Sequence, residues 1–202
     1  MRTTTAIAVL CISLLCAGCG GGSRIRKVSA SSVVVAFGDS LTSGTGASPE
    51  ESYPSVLSGL IGCRVVNAGV AGEDTSSGLR RLPAVLTSER PDLVILCHGG
   101  NDMLKGQDTN TTTANLNAMI ALAKGTGADV ILIAVPKPAL LLKPAGFYQE
   151  IATKQDIPFE AETLSKILST PGLTSDPLHP NASGYKRLAE SIKTLIGKSQ
   201  GK

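Results

Sequence analysis

The chain has 202 residues, 42% of them hydrophobic and 17% charged, with a formal net charge of +3 at pH 7; that is enough for one domain with a core of its own. Aromatic residues make up only 3% and Trp is absent, which argues against a base-stacking or sugar-stacking surface. The Lys and Arg residues are scattered and form no basic stripe of the kind that binds nucleic acid.

The chain opens with a leader. Arg2 supplies a positive start, and residues 6–17 form an apolar run of signal-peptide length, too short to cross a bilayer as a helix. The run closes on Leu15-Cys16-Ala17-Gly18-Cys19. This resembles the lipobox of bacterial lipoproteins, where cleavage exposes a cysteine for lipidation, with Cys16 standing where that pattern usually has Leu. On this reading residues 1–18 are a signal peptide and Cys19 carries the lipid. Residues 19–31, beginning with Cys19 and Gly20-Gly21-Gly22-Ser23, are then a flexible tether. A plain secretory signal with an incidental cysteine is the alternative. Either way the domain, residues 32–198, is expected to be exported, and in the lipoprotein form to face the periplasm from a membrane anchor.

Within the domain, apolar β-branched runs alternate with segments of helical spacing. Strands are expected at Val33–Phe37, Arg64–Asn67, Asp92–Cys97 and Asp129–Val135, with a weak fifth at Ile157–Phe159 that Pro158 keeps short or at an edge. Helices are expected at Tyr53–Ile61, Ser76–Ser88, Thr111–Lys124, Phe147–Lys154, Ala161–Leu168 and Ala182–Ile196. The alternation predicts a three-layer α/β/α, doubly wound fold around a parallel sheet of about five strands. Cys63 and Cys97 fall on strands that are not neighbours in such a sheet, so two free buried thiols are expected.

Ligands of open α/β sheets bind beyond the carboxyl ends of the strands, so the residues following each strand should converge. They are Gly38-Asp39-Ser40, then residues 68–74 in NAGVAGEDT, then His98-Gly99-Gly100-Asn101-Asp102, and, before the last helix, Asp176-Pro177-Leu178-His179-Pro180-Asn181. A serine needs a base to take its proton during attack. Of the two histidines, His179 has Asp176 three residues upstream in a proline-flanked turn, a spacing that can set a carboxylate against Nδ1 and leave Nε2 for Ser40. His98 reads more plainly as a packing or supporting histidine, with substrate contact as the other reading. Backbone N–H groups of Ser40 and Gly72 and the Asn101 carboxamide are candidate donors to an oxyanion. Taken singly, Ser40 could be a helix N-cap, Gly72 a turn glycine and Asn101 a turn capper.

The four segments FGDSLTSGTG, NAGVAGED, HGGND and DPLHPN resemble, in order and spacing, the sequence blocks of the SGNH hydrolases, also called GDSL esterases and lipases. The resemblance covers roughly residues 33 to 197 and is strongest toward the bacterial periplasmic thioesterase/lysophospholipase and arylesterase branch. It implies a flavodoxin-like fold and an esterase that acts on acyl or aryl (thio)esters or lysophospholipids through an acyl-enzyme. Ser40 is then the nucleophile, His179 the general base and acid, and Asp176 its orienting carboxylate. Ser40, Gly72 and Asn101 form the oxyanion hole, and Asp39 and Asp102 fix loops. Glu73 is a local departure, since the relative is expected to pass directly from Gly to Asp; the turn bearing Gly72 should differ in reach.

The loop after the fourth strand, PKPALLLKPAGFYQE, is unusually apolar for a rim. Leu140, Leu141, Phe147 and Tyr148 are candidates to line an acyl or aryl pocket; the alternative is that the leucines cap the core and Tyr148 begins a helix. No Cys/His cluster or carboxylate cage suggests a metal, and no cofactor is expected. The expected partners are a small ester or lipid substrate and a membrane reached through the lipid anchor, with no nucleic acid and a monomeric state. A carbohydrate O-acetylesterase and a noncatalytic cell-envelope binding lipoprotein are the competing functions.

Overall fold

A computed structural model describes residues 23–137 and 143–200. The proposed signal peptide, Cys19 and the first tether glycines lie outside the described residues, as do Leu140 and Leu141.

Five strands form one parallel sheet in the order β2-β1-β3-β4-β5. They are β1 (Val33–Gly38), β2 (Arg64–Gly69), β3 (Leu93–Cys97), β4 (Asp129–Ile133) and β5 (Phe159–Glu160). β1 lies between β2 and β3, with Val34 opposite Val65 on one side and Leu93 on the other. Its residues from Val34 to Phe37 are fully buried, which is why the run shows no alternation. β5 pairs Phe159 with Leu132 and Glu160 with Ile133, so the edge strand starts after Pro158 rather than at Ile157. Pro158 has no N–H to give and contributes only its carbonyl, which accepts from Leu132.

The long helices cover both faces. α2 (Tyr53–Ile61) packs on α8 (Ala182–Ser199), and α7 (Thr163–Leu168) joins α8; α3 (Thr75–Glu89) packs on α5 (Thr109–Gly125), beside which lies α6 (Gly146–Gln155). Their starts are written in the sequence as acceptor side chains. Asp74 caps α3 through Ser77 N–H, Asp108 caps α5 through Thr111 N–H and Asn181 caps α8 through Gly184 N–H. Two short helices, α1 (Ser40–Ser43) and α4 (Gly100–Leu104), follow β1 and β3. The three-layer α/β fold is therefore as expected. Cys63 and Cys97 are buried free thiols, but Cys63 lies just before β2 rather than on a strand; it sits at the amino end of the sheet and Cys97 at the carboxyl end of β3, with β1 between.

Residues 23–31, expected to belong to a flexible tether, are packed on the domain. Ile25 is buried and its N–H donates to Ser199 O at 2.9 Å. Arg26 N–H and Nε reach the Asp129 carboxylate at 2.8 and 3.1 Å, while its Nη2 donates to the carbonyls of Asp92 and Gly127. Residues 23–31 thus lie across the amino ends of β3 and β4. A buried isoleucine and an arginine satisfying loop carbonyls hold them there.

Candidate active site

The carboxyl ends of β1, β2 and β3 and the turn before α8 meet at one rim. Asp39 follows β1 and caps α1, its Oδ1 accepting from Leu41 N–H at 3.0 Å. Asp39, not Ser40, is the cap; Ser40 is the first helical residue and is left pointing outward from a tight strand-to-helix turn. Burial pushes the Asp39 carboxyl up against the opposing pull of His98, the Leu41 amide and His179. Asp102, also buried, accepts from the amide and hydroxyl of Thr75 and from Thr112, which clamps the start of α3 to α4. Both aspartates therefore fix loops.

Ser40 Oγ lies 2.9 Å from His179 Nε2. His179 Nδ1 in turn lies 2.8 Å from Asp176 Oδ2 and 3.0 Å from Oδ1. The turn builds this contact from its own backbone, because Asp176 Oδ1 also accepts the N–H groups of Leu178 at 2.7 Å and His179 at 2.9 Å. A spacing of three residues is what lets one carboxylate hold both the main chain and the ring. The ionised acid keeps the proton on Nδ1, so Nε2 presents a lone pair to the serine hydroxyl. Burial pushes the Asp176 carboxyl up, but its bonds to the His179 ring and the two backbone amides outweigh this and hold it below the usual range. The ring is 18% exposed and the carboxylate 46%, so solvent reaches the pair from the rim.

Opposite the serine lie Gly72 and Asn101, which line the same pocket as Ser40 and His179. Gly72 has φ of +78°, in the third position of the turn from Val70 to Glu73; only glycine takes that conformation without strain. Asn101 sits within α4 with its Nδ2 donating to Glu73 O at 2.9 Å. The second Nδ2 contact, to Asp39 Oδ2, is 3.4 Å, long enough to leave that hydrogen available to a stronger acceptor.

The pocket holds about 270 Å³, and apolar side chains dominate its walls: Leu41, Leu104, Val135, Pro136, Leu168 and Leu178. Two expectations for this wall are corrected. Tyr148 is fully buried and its hydroxyl donates to His98 O at 2.7 Å, so it supports the β3 end from behind. Phe147 packs against the core next to it, ring centroids 4.3 Å apart, and neither residue is among the pocket's lining. Leu104 and Leu168 were missed because leucines on helices read as core; the signal for Leu104 is its place three residues after Asn101.

His98 is buried without access to the pocket. Its Nδ1 accepts from Gly99 N–H at 3.0 Å and its Nε2 lies 3.3 Å from Glu73 Oε2, which makes it a support rather than a substrate contact. Burial pushes the Glu73 carboxyl up, but hydrogen bonds from Arg81 and His98 and the charge of Arg81 prevail and hold it at about 2. Among the described residues no group of three or more His, Cys, Asp or Glu is placed to hold a metal ion.

The sequence model described as the GDSL-like Lipase/Acylhydrolase family matches residues 36–187. The chain is 31% identical over 174 residues to an arylesterase of Vibrio mimicus, a match covering 81% of this chain and 87% of that protein. It is 27% identical over 172 residues to thioesterase 1/protease 1/lysophospholipase L1 of Escherichia coli (strain K12), covering 81% and 83%. Among solved structures, that of TesA superposes with a TM-score of 0.73 at 27% identity, covering 81% of this chain and 97% of that one.

Proposed function

Since the chain belongs to the GDSL-like lipase/acylhydrolase family, a family of esterases, we propose that it hydrolyses carboxylic esters and thioesters of medium acyl chains through an acyl-enzyme on Ser40. The observation that carries this reading is the unbroken relay from Asp176 to His179 to Ser40, with 2.8 and 2.9 Å links.

The steps follow from the geometry. Ser40 Oγ attacks the substrate carbonyl carbon as its proton passes to His179 Nε2, and the imidazolium that forms is stabilised by Asp176. The carbonyl oxygen, now an oxyanion, takes hydrogen bonds from the N–H groups of Ser40 and Gly72 and from Asn101 Nδ2. His179 then gives the proton to the departing alcohol or thiol, leaving the acyl group on Ser40. A water molecule repeats the sequence: His179 takes its proton, its oxygen attacks the acyl carbon, and the serine leaves with the proton. No step requires a metal or cofactor.

The acyl chain occupies the apolar pocket. An acetyl group would leave most of about 270 Å³ unfilled, whereas each methylene buried there contributes about 0.8 kcal/mol. The arylesterase and thioesterase names borne by the relatives fit a site that binds the acyl side closely and leaves the departing group open to solvent. The same proposal places the enzyme in the cell envelope, held by a lipid on Cys19. Hydrolysis of a p-nitrophenyl ester and of an acyl thioester by wild type and by Ser40→Ala tests it. Both activities should fall by about 10⁴ or more in the variant, leaving only oxyanion and binding effects. Hydrolysis at the wild-type rate by Ser40→Ala would end it.

A further inference from the structure

Glu73 stands where the chain departs from the expected pattern, and none of the steps above uses its side chain. Its carboxylate is nevertheless held by three side-chain hydrogen bonds. Arg81 grips it with two parallel bonds, Nε to Oε1 at 2.9 Å and Nη2 to Oε2 at 2.7 Å, the strong forked geometry of a guanidinium on a carboxylate. The third contact comes from His98. Because His98 Nδ1 accepts the Gly99 amide, its proton is on Nε2 and is given to Glu73 Oε2. Room for that ring exists only because residue 78 of α3 is glycine; a Cβ there would stand 2.5 Å from Nε2.

The clamp reaches three strand ends. Arg81 Nη2 also donates to Ala68 O at the end of β2, at 3.0 Å, and its guanidinium carbon lies 4.3 Å from the centre of the Phe37 ring at the end of β1. His98 follows β3. Glu73 therefore ties the turn that carries Gly72 to all three strands around the serine. The same residue's carbonyl oxygen receives one hydrogen of the Asn101 carboxamide at 2.9 Å. An amide with one hydrogen so held has its plane and its other hydrogen set.

We infer that Glu73 is a positioning residue: locked by Arg81 and His98, it holds the main-chain carbonyl that aims the Asn101 carboxamide at the reacting carbonyl oxygen. The inference rests on the proposed role of Asn101 as an oxyanion donor. An ion pair placed only for folding would hold the turn without a defined effect on turnover; a positioning role acts on kcat and acts through Asn101.

A double-mutant cycle on the full chain separates these, with kcat and KM measured on p-nitrophenyl butyrate and folding checked by circular dichroism. Asn101→Ala should lower kcat by about 10²–10³. Glu73→Ala should lower it by about tenfold with KM changed less than about twofold, because the donor is misaimed rather than removed. In the Asn101→Ala background the Glu73 substitution should cost nothing further within about twofold. Glu73→Gln, which keeps the shape and an acceptor oxygen for His98, should lose about threefold in the same dependent pattern, and it carries the test should the alanine variant not fold. Losses that multiply, or a Glu73→Ala kcat within twofold of wild type, would overturn the inference while leaving the oxyanion reading intact. An Asn101→Ala kcat within about threefold of wild type would overturn that reading and the inference with it.

Discussion

Replacing Asp176 with Asn should inactivate the enzyme more thoroughly than replacing it with Ala. The carboxylate holds the backbone through Oδ1, which accepts from Leu178 and His179 N–H at 2.7 and 2.9 Å. An amide keeps those two bonds with its oxygen, and its NH₂ group then faces His179 Nδ1. That nitrogen must become an acceptor, so the ring carries its proton on Nε2, where it meets Ser40 Oγ at 2.9 Å. A nitrogen already protonated cannot take the serine's proton. The cost is the wrong tautomer, worth about 10⁴ in kcat, or about 5.5 kcal/mol at 1.36 kcal/mol per decade. Alanine imposes no tautomer and should lose about tenfold less. With the carboxylate 46% exposed, folding stability should change by no more than about 1 kcal/mol in the Asn variant. Steady-state hydrolysis of p-nitrophenyl butyrate, alongside thermal denaturation, measures both. An Asn variant retaining activity within tenfold of wild type, or one more active than the Ala variant, would refute the reasoning.

Further outcomes rest on the same geometry. Across p-nitrophenyl acetate, butyrate and octanoate, kcat/KM should rise from acetate to butyrate by about fifteenfold, two methylenes at about 0.8 kcal/mol each; a steep preference for acetate would rule out the acyl pocket. Because the folded-state pKa of Glu73 is held at about 2 against an ordinary 4.5, its contribution to stability is full above pH 4.5 and is lost as pH falls toward 2. The wild-type advantage over Glu73→Gln, about 2 kcal/mol near neutrality given the partial exposure of Arg81, should therefore shrink across that window in denaturation curves, and an unchanged gap at pH 2.5 would contradict the assignment. Tyr148→Phe removes a buried hydroxyl bonded to His98 O and should cost about 1–2 kcal/mol of stability with little change in KM, since the residue does not touch the pocket. Cys19→Ala should release the protein from the membrane fraction into the soluble one; continued membrane association would argue against the lipid anchor.

The sheet was legible because its three central strands are buried on both faces and so read as unbroken apolar runs, as Val34–Phe37 and Leu93–Cys97 do. The meeting of Ser40, Gly72 and Asn101 was legible for a topological reason: parallel strands deliver their trailing loops to one rim. Asp176 and His179 follow α7 rather than a strand, and their three-residue spacing in a proline-flanked turn singled them out. Short elements were not. α1 and α4 span four and five residues, too few for helical periodicity to show, and β5 has only two, displaced past Pro158. Tyr148 misled because an aromatic beside an apolar loop has the same composition whether it faces a pocket or the core. Its direction is set by a hydrogen bond to His98 O, fifty residues away, which no local pattern encodes. Glu73 looked like a perturbation of a turn; its partners Arg81 and His98 come from a helix and a strand end, so its bonding appears only once the chain is folded.

The central claim is that the Ser40 hydroxyl, activated by His179, forms the covalent bond with the acyl group. Treating the folded protein with a fluorophosphonate and mapping the adduct by peptide mass spectrometry tests it most directly. The account predicts a single phosphonyl group on Ser40, absent from Ser40→Ala and slowed at least a hundredfold in His179→Ala. An active preparation that takes up no label, or takes it up at another residue with Ser40 unmodified, would contradict it.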